Sequence, residues 1–423
     1  MCACEVKSLE GLVEAFRKEE VRESLIVKCV EQLQEEKVTA VCGPPYHPQS
    51  ERYRRAGTRQ RTLKTLAGKV HFRLAIVDDT ENHLPVYPLL DYFGVGPYQR
   101  MCRDLTKASV GLSLRSTYGD AREDLFEASG ICLSKSTLHR RVQETASDLE
   151  DHYRAAIDKV TCKNVEADGT KVHGLKGKND VNVVVGVSNQ TGEKVLLGLG
   201  VNRDWGEIKT QTSPYQAEDS VLIADFEPAI RQNLLAANQH FQGCIRHATG
   251  YVSYNLWSEK VPLKERQSII KNMSRIMYTL KNSVLKHLGD QDMKALKERI
   301  EWTKQELKKL ADEFAVKGYE SAHQFIQNSA NHLLTFAHLA LKGQHVPWNN
   351  NLIERVMGEV AKRCKNKWMH WSTTGLENLL TFLLIKFTQP RLYEQFWQEY
   401  VGPPATLKFT LTIHKEETKV SGI

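Results

Sequence analysis

Long hydrophobic runs are missing from this sequence. No apolar stretch in its 423 residues approaches the roughly 18 consecutive apolar residues that suggest a membrane-spanning helix. The N-terminal segment MCACEVKSLEGLVEAFRKEE carries too many charges to be a secretory signal peptide. We therefore expect a cytoplasmic protein with no membrane partner.

Paired cysteines are missing as well. The nine cysteines are scattered, and no two form a Cys-x-x-Cys pair. The odd count argues against a disulfide framework, and the missing pairs argue against a zinc ribbon, so reduced thiols are expected. The sequence also lacks a GxxxxGK[ST] phosphate-binding loop, which disfavours an enzyme that hydrolyses nucleotides.

What is present is a mildly basic composition with an uneven distribution of charge. Hydrophobic residues make up 41% and charged residues 26% of the chain, and the formal net charge is +7; this composition is ordinary for a globular protein of two or three domains. One short segment holds six cations and no acid: Arg52, Arg54, Arg55, Arg59, Arg61 and Lys64. Such a run is either a solvated face or a surface that binds nucleic acid by releasing counterions from phosphates. We predict that its arginines contact DNA.

The N-terminal part of the chain combines helices with a β-hairpin. Apolar residues at helical spacing predict one or two amphipathic helices over 9–38. Alternation of apolar and polar residues predicts a hairpin over 61–79. Its turn is expected at Ala67-Gly68, because glycine readily adopts turn conformations.

Residues 119–144 have the rhythm of a helix-turn-helix. Gly130 suits the turn, and Ser134 or Ser136 suits the cap of the second helix. That helix would carry basic side chains toward a DNA major groove: Arg140 and Arg141. The alternative is a helical hairpin with a basic exposed edge.

From residue 161 onward the sequence changes to short β-rich runs. Their order is three strands, a fourth strand, a helix over 228–240 and a fifth strand. We expect a ribonuclease-H-like fold, an α/β arrangement in which a mixed sheet flanked by helices begins with three antiparallel strands and adds a strand parallel to the first. Residues 262–342 are expected to be helical, with a buried seam from Leu296 to Phe314. A further helix begins near residue 350.

Two aspartates stand where neighbouring strands of such a sheet would come together. Asp168 lies on the first strand, in ADGTKV, and Asp225 ends the fourth, in VLIAD. Adjacent carboxylates in a low-dielectric cleft repel each other unless a cation lies between them. Oxygen ligands suit Mg²⁺ or Mn²⁺, and two such ions about 3.5 to 4 Å apart promote phosphoryl transfer. Ordinary strand-end aspartates are the alternative.

A third acid is expected from the helix that begins near residue 350. Glu354 shares a helix face with Gly358 and Ala361, whose small side chains would leave room for a metal and a DNA backbone. Alternatively, Asn351 and Glu354 form a capping box, which needs no ligand. Three other acids compete for a ligand role: Glu166, Glu227 and Glu359.

At these residues the chain resembles the DDE transposases of prokaryotic insertion sequences. It is most similar to the Mutator-like superfamily, in which a helical insertion interrupts the ribonuclease-H-like domain between the second Asp and the Glu. The matching segments are ADGTKV, VLIADFEPAI, FQGCIRH and NNLIERVMGEVAKRCKNKWMHWS. The separations also suit that family, with 57 residues from Asp168 to Asp225 and 129 from there to Glu354.

The resemblance implies that Asp168, Asp225 and Glu354 are catalytic and bind two Mg²⁺ or Mn²⁺ ions. It implies cleavage of transposon-end DNA and its joining to target DNA, by a homodimer or larger synaptic complex at the prokaryotic nucleoid. The implied regions are an N-terminal helical region (1–45), a basic β-hairpin region (46–100), a helix-turn-helix-like DNA-binding region (101–155), a catalytic domain (156–248 and 346–395), a helical insertion (249–345) and a C-terminal tail (396–423).

Further residues of the matching segments have expected roles. The Cys-x-x-His motif of this group falls on Cys244 and His247, and two ligands do not make a tetrahedral zinc site, so both are expected to be structural or to line the cleft. Trp371 is expected in the core. Phe226 departs from the glycine that often follows the second Asp. Cations after the glutamate are expected to hold DNA phosphates: Lys362, Arg363 and Lys367.

Two other functions stay open at the level of sequence. One is a nuclease of the same fold that cuts DNA without joining it. The other is a catalytically inactive, transposase-derived DNA-binding protein, against which the presence of all three acids argues.

Overall fold

The computed structural model describes residues 18–365 and 368–402, which divide between two compact units. Unit 1 contains the described residues up to Val142 together with those from Gln395 onward, and unit 2 runs from Gln143 to Glu394. The predicted division into six regions is finer than these two units and stays a prediction.

Unit 1 combines a three-stranded antiparallel sheet, in the order β1–β2–β3, with helices. Its elements are α1 (Glu19–Cys42), β1 (Tyr53–Thr65), β2 (Gly68–Asp79), β3 (Leu84–Val86), α2 (Pro88–Phe93), α3 (Arg103–Ser113), α4 (Tyr118–Ser129) and the start of α5 (Lys135–Ile157). The predicted hairpin is confirmed, and its first strand extends back to Tyr53, so that it includes every member of the cationic run except Arg52. The helix predicted over 9–38 is confirmed from residue 19, whereas 9–17 lie outside the described residues.

Helix α1 covers strand β2. Its apolar side chains pack on a core formed by alternate residues of that strand, among them Val70, Phe72 and Leu74, as the period of two in a strand requires. Gln34 of α1 donates to the carbonyl of Arg73 and accepts from the N–H of Ala75, both at 2.9 Å. A side chain thereby satisfies backbone groups that would otherwise form an open sheet edge.

The predicted helix-turn-helix rhythm is confirmed in α4 and α5. Gly130 ends α4 with a φ of 69°, in the left-handed region that favours a residue without a Cβ. Ser134 accepts the N–H of Thr137 at 3.1 Å and so caps α5. An apolar core that includes Leu125 and Leu138 holds this part of unit 1 together.

A mixed five-stranded sheet forms the centre of unit 2. Its strands, in the order β6–β5–β4–β7–β8, are β4 (Cys162–His173), β5 (Lys178–Ser188), β6 (Lys194–Val201), β7 (Gln216–Ala224) and β8 (His240–Gly243). Strands β4, β5 and β6 pair in antiparallel fashion, β7 runs parallel to β4, and β8 runs parallel to β7. The predicted α/β class and strand order are confirmed.

Helices pack against this sheet, with α13 against β4 and α14 against β6. The helices that follow β6 and β7 and those after residue 350 are α6 (Trp205–Thr212), α7 (Pro228–Leu234), α13 (Asn351–Cys364), α14 (Thr373–Thr388) and α15 (Pro390–Val401), of which α15 spans the boundary with unit 1. Helix α6, which begins with a capping box between Asp204 and Glu207, was not predicted. Helix α7 ends at Leu234, earlier than the predicted 228–240.

Between β8 and α13 the chain is helical. The helices are α8 (Ile245–Ser258), α9 (Leu263–Asp290), α10 (Met293–Lys317), α11 (Glu320–Leu333) and α12 (Thr335–Ala340). The seam predicted from Leu296 to Phe314 is buried on α10. The apolar core of these helices continues into Val221 and Ile223 of β7, so they are anchored on the strand that precedes Asp225.

Two further expectations concern cysteines and membranes. The cysteines within the described residues are free thiols. In that same part of the chain, no helix combines the length and apolarity needed to cross a bilayer.

Candidate active site

The first two predicted acids lie on neighbouring parallel strands. The register pairs Glu166 of β4 with Ile223 of β7, an offset of 57 residues. Two residues further along, the same offset brings Asp168 opposite Asp225, the residue that follows β7. The separation noted in the sequence is therefore the register of a parallel pair, and it sets the two carboxylates side by side.

Asp168 is in an environment that opposes its ionisation. Burial, followed by the charge of Asp225, raises the pKa of Asp168 to about 6, and the charges of Glu354 and Glu227 act in the same direction. The N–H of Gly169 donates to Asp168 Oδ1 at 2.8 Å and opposes the shift. Several carboxyls close together repel one another, and a bound cation would relieve that repulsion.

Asp225 is held from two directions. Its Oδ1 accepts the N–H of Glu227 at 3.0 Å, and the side chain of Tyr251 on α8 is hydrogen-bonded to it. Burial, then the negative charges of Asp225, Glu227 and Asp168, raise the pKa of Tyr251. The phenol therefore stays protonated, and its O–H donates a hydrogen bond to Asp225. The contact of Tyr251 with Asp225 was not predicted, because nothing in the local pattern distinguishes this residue from a core tyrosine.

Helix α13 carries the third predicted acid, Glu354, to the part of the sheet where Asp168 and Asp225 lie. Glu166 is only 4% exposed, and its Oε2 accepts the N–H of Ile353 at 2.9 Å. Glu166 and Asp168 are two residues apart on a strand and therefore share a face. Because Glu354 follows Ile353, the bond from Glu166 brings Glu354 to the face on which Asp168 lies.

Glu166 was the closest rival to Asp168 as a ligand, and its contacts give it a different role. Burial raises its pKa to about 7, whereas bonds from the backbone N–H groups of Ile353 and Leu352 lower it. An acceptor at the first turn of a helix satisfies N–H groups that have no partner within the helix. Glu166 therefore anchors the helix that carries Glu354.

The capping-box alternative for Glu354 is wrong. The residue before α13 is Asn350, which makes no side-chain capping bond, and Asn351 is already the first residue of the helix. A Cβ added to Gly358 would meet no atom within 4 Å, so the expected space beside Glu354 is present.

The remaining rival acids have partners of their own. Glu359 pairs with Lys362 at 2.6 Å. Glu227 is hydrogen-bonded to the side chain of Trp205, and burial followed by the charge of Asp225 raises its pKa. Glu227 thus contributes to the negative potential at Asp168 from just outside the three-residue set.

Glu354 also faces the start of helix α8. Arg246 Nη1 lies 3.4 Å from Glu354 Oε2, and His247 Nε2 lies 3.8 Å from Glu354 Oε1. Cys244, the residue before α8, is buried, and burial raises its pKa. The expectation that Cys244 and His247 lie beside the cleft agrees with these positions, while Arg246 was not singled out from sequence.

Phe226, the departure from the family pattern, fills a space that a neighbouring glycine leaves. A Cβ on Gly243 would lie only 2.2 Å from the ring of Phe226. The ring also packs edge-on against Tyr251 and Phe325, with centroids at 6.1 and 5.1 Å. Phe226 therefore ties the segment after Asp225 to the helical core.

Two arginines of the hairpin, predicted to bind DNA, are engaged within unit 1. Arg52 pairs with Asp79 at 2.7 Å and Glu81 at 3.0 Å, and it holds the pKa of Asp79 well below its usual range. Arg55 pairs with Glu35 of α1 at 2.8 Å. These partners give both arginines a structural role, and contact with DNA stays a prediction.

The other arginines of the hairpin divide between packing and exposure. Arg59 lies 4.4 Å from the ring centre of Tyr87, and Arg61 donates to backbone carbonyls of the 96–99 loop. Arg54 is exposed and lies opposite Asp78 in the hairpin register. In the second predicted DNA-binding segment, two arginines lie on α5, one exposed and one half-buried: Arg140 and Arg141.

The cations after Glu354 also differ in position. Lys362 is exposed, and Lys367 lies outside the described residues. Arg363 is 5% exposed and lies 5.0 Å from the ring centre of Trp371. The expectation of a phosphate contact for Arg363 is therefore corrected to a packing role, because helical spacing puts it on the buried stripe of α13 with Val360.

Trp371 occupies the core position expected for it. Its ring is 6% exposed, and its Nε1 donates to the carbonyl of Cys364 at 3.2 Å. Ser372 accepts the N–H of Gly375 at 3.1 Å and caps α14. These contacts fasten the end of α13 to the start of α14.

The donor set fits a hard divalent cation. Carboxylate oxygens come from Asp168 on β4, from Asp225 just after β7 and from Glu354 on α13, and the charges of Asp225 and Glu354 act on the ionisation of Asp168. No protein-family model matches this sequence, and no curated protein gives a significant match. The function proposed below therefore rests on the chemistry of these three carboxylates.

Proposed function

We propose that this chain is a DNA transposase that cleaves transposon ends and joins them to target DNA by divalent-cation-dependent phosphoryl transfer. The observation that carries the proposal is the convergence of Asp168, Asp225 and Glu354 on one edge of the sheet, with the pKa of Asp168 raised to about 6. The strand order β6–β5–β4–β7–β8 supports a ribonuclease-H-like catalytic domain with an all-α insertion.

The three carboxylates would hold Mg²⁺ or Mn²⁺, two ions by the chemistry of such sites. When bound, these ions supply Lewis-acid stabilisation of the phosphoryl group and lower the pKa of a bound water. Hard cations prefer oxygen ligands of the kind that Asp and Glu provide. Binding would also remove the mutual repulsion that raises the pKa of Asp168.

The chain's own residues position these ligands. Glu166 holds the first turn of α13, and thus fixes Glu354 relative to Asp168. Tyr251 donates to the carboxylate of Asp225 and so fixes its orientation. The open space beside Gly358 gives a phosphodiester room to approach. Rigid placement of this kind is the main contribution a protein makes to phosphoryl transfer.

Contact with DNA is supported in each unit separately. In unit 1, the N-terminal part of α5 carries exposed Arg140, consistent with a recognition helix. In unit 2, Tyr254 and Trp257 of α8 are 62% and 59% exposed, with ring centroids 5.7 Å apart. Exposed aromatic pairs suit stacking on unpaired bases. Transposon-end DNA, target DNA and a homodimer or larger synaptic complex are the partners we propose.

Cleavage of labelled end DNA by an Asp225→Asn protein tests the proposal. Asparagine keeps the size and the hydrogen-bonding oxygen but removes the charge, so we expect loss of Mg²⁺-dependent cleavage with unchanged DNA binding. Glu227→Gln is the matched control, because it removes a nearby charge from outside the three-residue set and should retain cleavage. Full cleavage by the Asp225→Asn protein would refute the assignment.

A second assay separates the transposase from its rivals. With pre-cut ends supplied, a transposase joins them to a target plasmid, whereas a nuclease of the same fold leaves them unjoined. An inactive DNA-binding derivative would bind the ends and neither cut nor join them in Mg²⁺ or Mn²⁺.

A further inference from the structure

A second group of metal-ligating side chains adjoins the three carboxylates. Cys244, His247 and Glu354 each bring one ligand atom into a cluster whose atoms all lie within 4.8 Å of one another. The backbone N–H of Cys244 donates to the carbonyl of Ala224 at 2.9 Å, so the cluster lies beside the end of β7. Sequence alone offered two ligands here, and the fold brings a third.

The surroundings of the sulfur favour a thiolate ligand. Cys244 is 0% exposed, and its side chain is hydrogen-bonded to the backbone N–H groups of Arg246, His247 and Asn350. Donors around a sulfur stabilise the negative charge that a metal-bound thiolate carries. They also join the starts of α8 and α13, the two helices that contribute the cluster.

Two buried polar atoms of these residues favour a bound cation. His247 Nδ1 and Glu354 Oε1 are both buried and have no hydrogen-bond partner among the residues that the structure describes. Buried polar atoms without partners are costly in a folded protein, and coordination of a cation would satisfy such an atom. The two oxygens of Glu354 face different neighbours, His247 for Oε1 and Arg246 for Oε2.

We propose that Cys244, His247 and Glu354 bind one Zn²⁺ ion, distinct from the cations held by Asp168 and Asp225. A sulfur, nitrogen and oxygen ligand set suits zinc rather than Mg²⁺. Binding replaces the S–H bond of Cys244 with a sulfur–metal bond and releases the proton to solvent. The ion ties α8 to α13 and fixes one oxygen of Glu354, leaving the other for the catalytic cations.

The zinc site would stand without the proposed transposase activity, since neither Asp168 nor Asp225 takes part in it. Cobalt(II) is the probe, because a Co²⁺–thiolate bond gives an absorption band in the near ultraviolet, whereas carboxylate ligands give none. Titration of the full-length, metal-free protein should produce this band at one equivalent. Zn²⁺ should then abolish the band, because zinc binds such sites more tightly than cobalt.

Variants assign the band to this cluster. Cys244→Ser should remove it and still fold, since serine is a good residue at the start of a helix. Cys132→Ser, which changes an exposed thiol in unit 1, is the matched control and should keep the band. His247→Gln should weaken Co²⁺ binding by at least about tenfold, the lower end of losses seen even for residues that only support a ligand.

The outcomes separate this inference from the proposed function. A band that persists in the Cys244→Ser protein, or no band in the unaltered protein, overturns the zinc site. An Asp168→Asn, Asp225→Asn double variant should keep the band while it loses cleavage. If that variant loses the band, the cation belongs to the catalytic carboxylates and the separate site is refuted.

Discussion

The cationic run of unit 1 and the acids around Asp168 in unit 2 are both clusters of like charge, but they lie in different electrostatic environments. In unit 1, arginines in and just before strand β1 meet acids and carbonyls, as Arg52 does with Asp79 at 2.7 Å. In unit 2, burial and then the charges of neighbouring carboxyls raise the pKa of Asp168 to about 6. Both clusters look like ligand-binding surfaces in the sequence. The fold pairs Arg52 and Arg55 of the first cluster with acids of the chain, whereas we propose that divalent cations neutralise the second.

The largest expected effect is at the acidic cluster. Asp168→Asn should lower the rate of DNA cleavage by about a thousandfold or more, since a cation ligand contributes several kcal/mol to transition-state stabilisation. The same change should raise the melting temperature in EDTA, because it relieves repulsion while asparagine still accepts from Gly169. A lower melting temperature in EDTA would contradict the view that these charges repel each other.

Neutralising an arginine in unit 1 should have the opposite effect on stability. Arg52→Met leaves the carboxylate of Asp79, 4% exposed, without its cation, so we expect the melting temperature to fall by several degrees. Calorimetry measures the change. Arg54→Met, two residues further along the chain and exposed, is the control and should leave the melting temperature unchanged.

Removal of Glu166, the anchor of α13, is expected to have a smaller effect than the Asp168 and Arg52 variants. Glu166→Ala leaves buried N–H groups of α13 without an acceptor, which should lower the free energy of unfolding by about 1 to 3 kcal/mol. Cleavage should also fall, since Glu354 loses its position. Glu166→Gln retains one acceptor oxygen and should recover much of both losses in denaturation and cleavage assays. Equal behaviour of the two variants would argue against the anchoring role.

The raised pKa of Asp168 predicts how stability depends on pH. The native carboxyl has a pKa of about 6, above its ordinary value of about 4. Over this interval the native state holds a proton that the unfolded state releases, so the free energy of unfolding in EDTA should fall as pH rises. Mg²⁺ binds the ionised form, and the melting-temperature gap between Mg²⁺ and EDTA should therefore widen from about pH 4 to about pH 6. An Asp168→Asn protein that shows the same widening would contradict the assignment.

The smallest effect is expected at the exposed arginine of the hairpin. If Arg54 contacts a phosphate, Arg54→Gln should weaken DNA binding modestly at all sequences and reduce the slope of log affinity against log salt by about 1. Arg59→Gln makes the same change of charge at a side chain that stacks on Tyr87. It should lower stability and leave the salt slope unchanged, and equal slopes for the two variants would remove Arg54 from the DNA surface.

Much of the fold could be predicted from local patterns. Alternation identified the hairpin and the strands of unit 2, and helical spacing identified the seam of α10. Helix α6 was missed because it is short, and its capping box, Asp204 with Glu207, was the one signal available. Helix α7 was predicted too long, because its C-terminal residues are compatible with a helix but lead instead into strand β8.

The members of the candidate site were proposed from sequence, and their supports were not. Asp225 follows a strand and Glu354 has small neighbours at helical spacing, which are local properties. Asp168 lies within β4 rather than at its end, and a ligand role for the three acids stays a prediction. The roles of Glu166, Tyr251 and Arg246 were not visible, since each depends on a contact with a residue far away in the chain. The same limitation applies to Cys244 and His247, which meet Glu354 only in the folded chain.

By itself, the sequence determined which elements form and which chemical groups they carry, because periodicity and residue type act over a few neighbouring positions. Only the tertiary structure decided which charges are neutralised within the chain and which are not. Arg363 shows the difference, since it reads as a phosphate-binding cation and is buried against Trp371. Electrostatic interactions depend on distance through space and on burial, and the tertiary fold, not the local sequence pattern, sets both quantities.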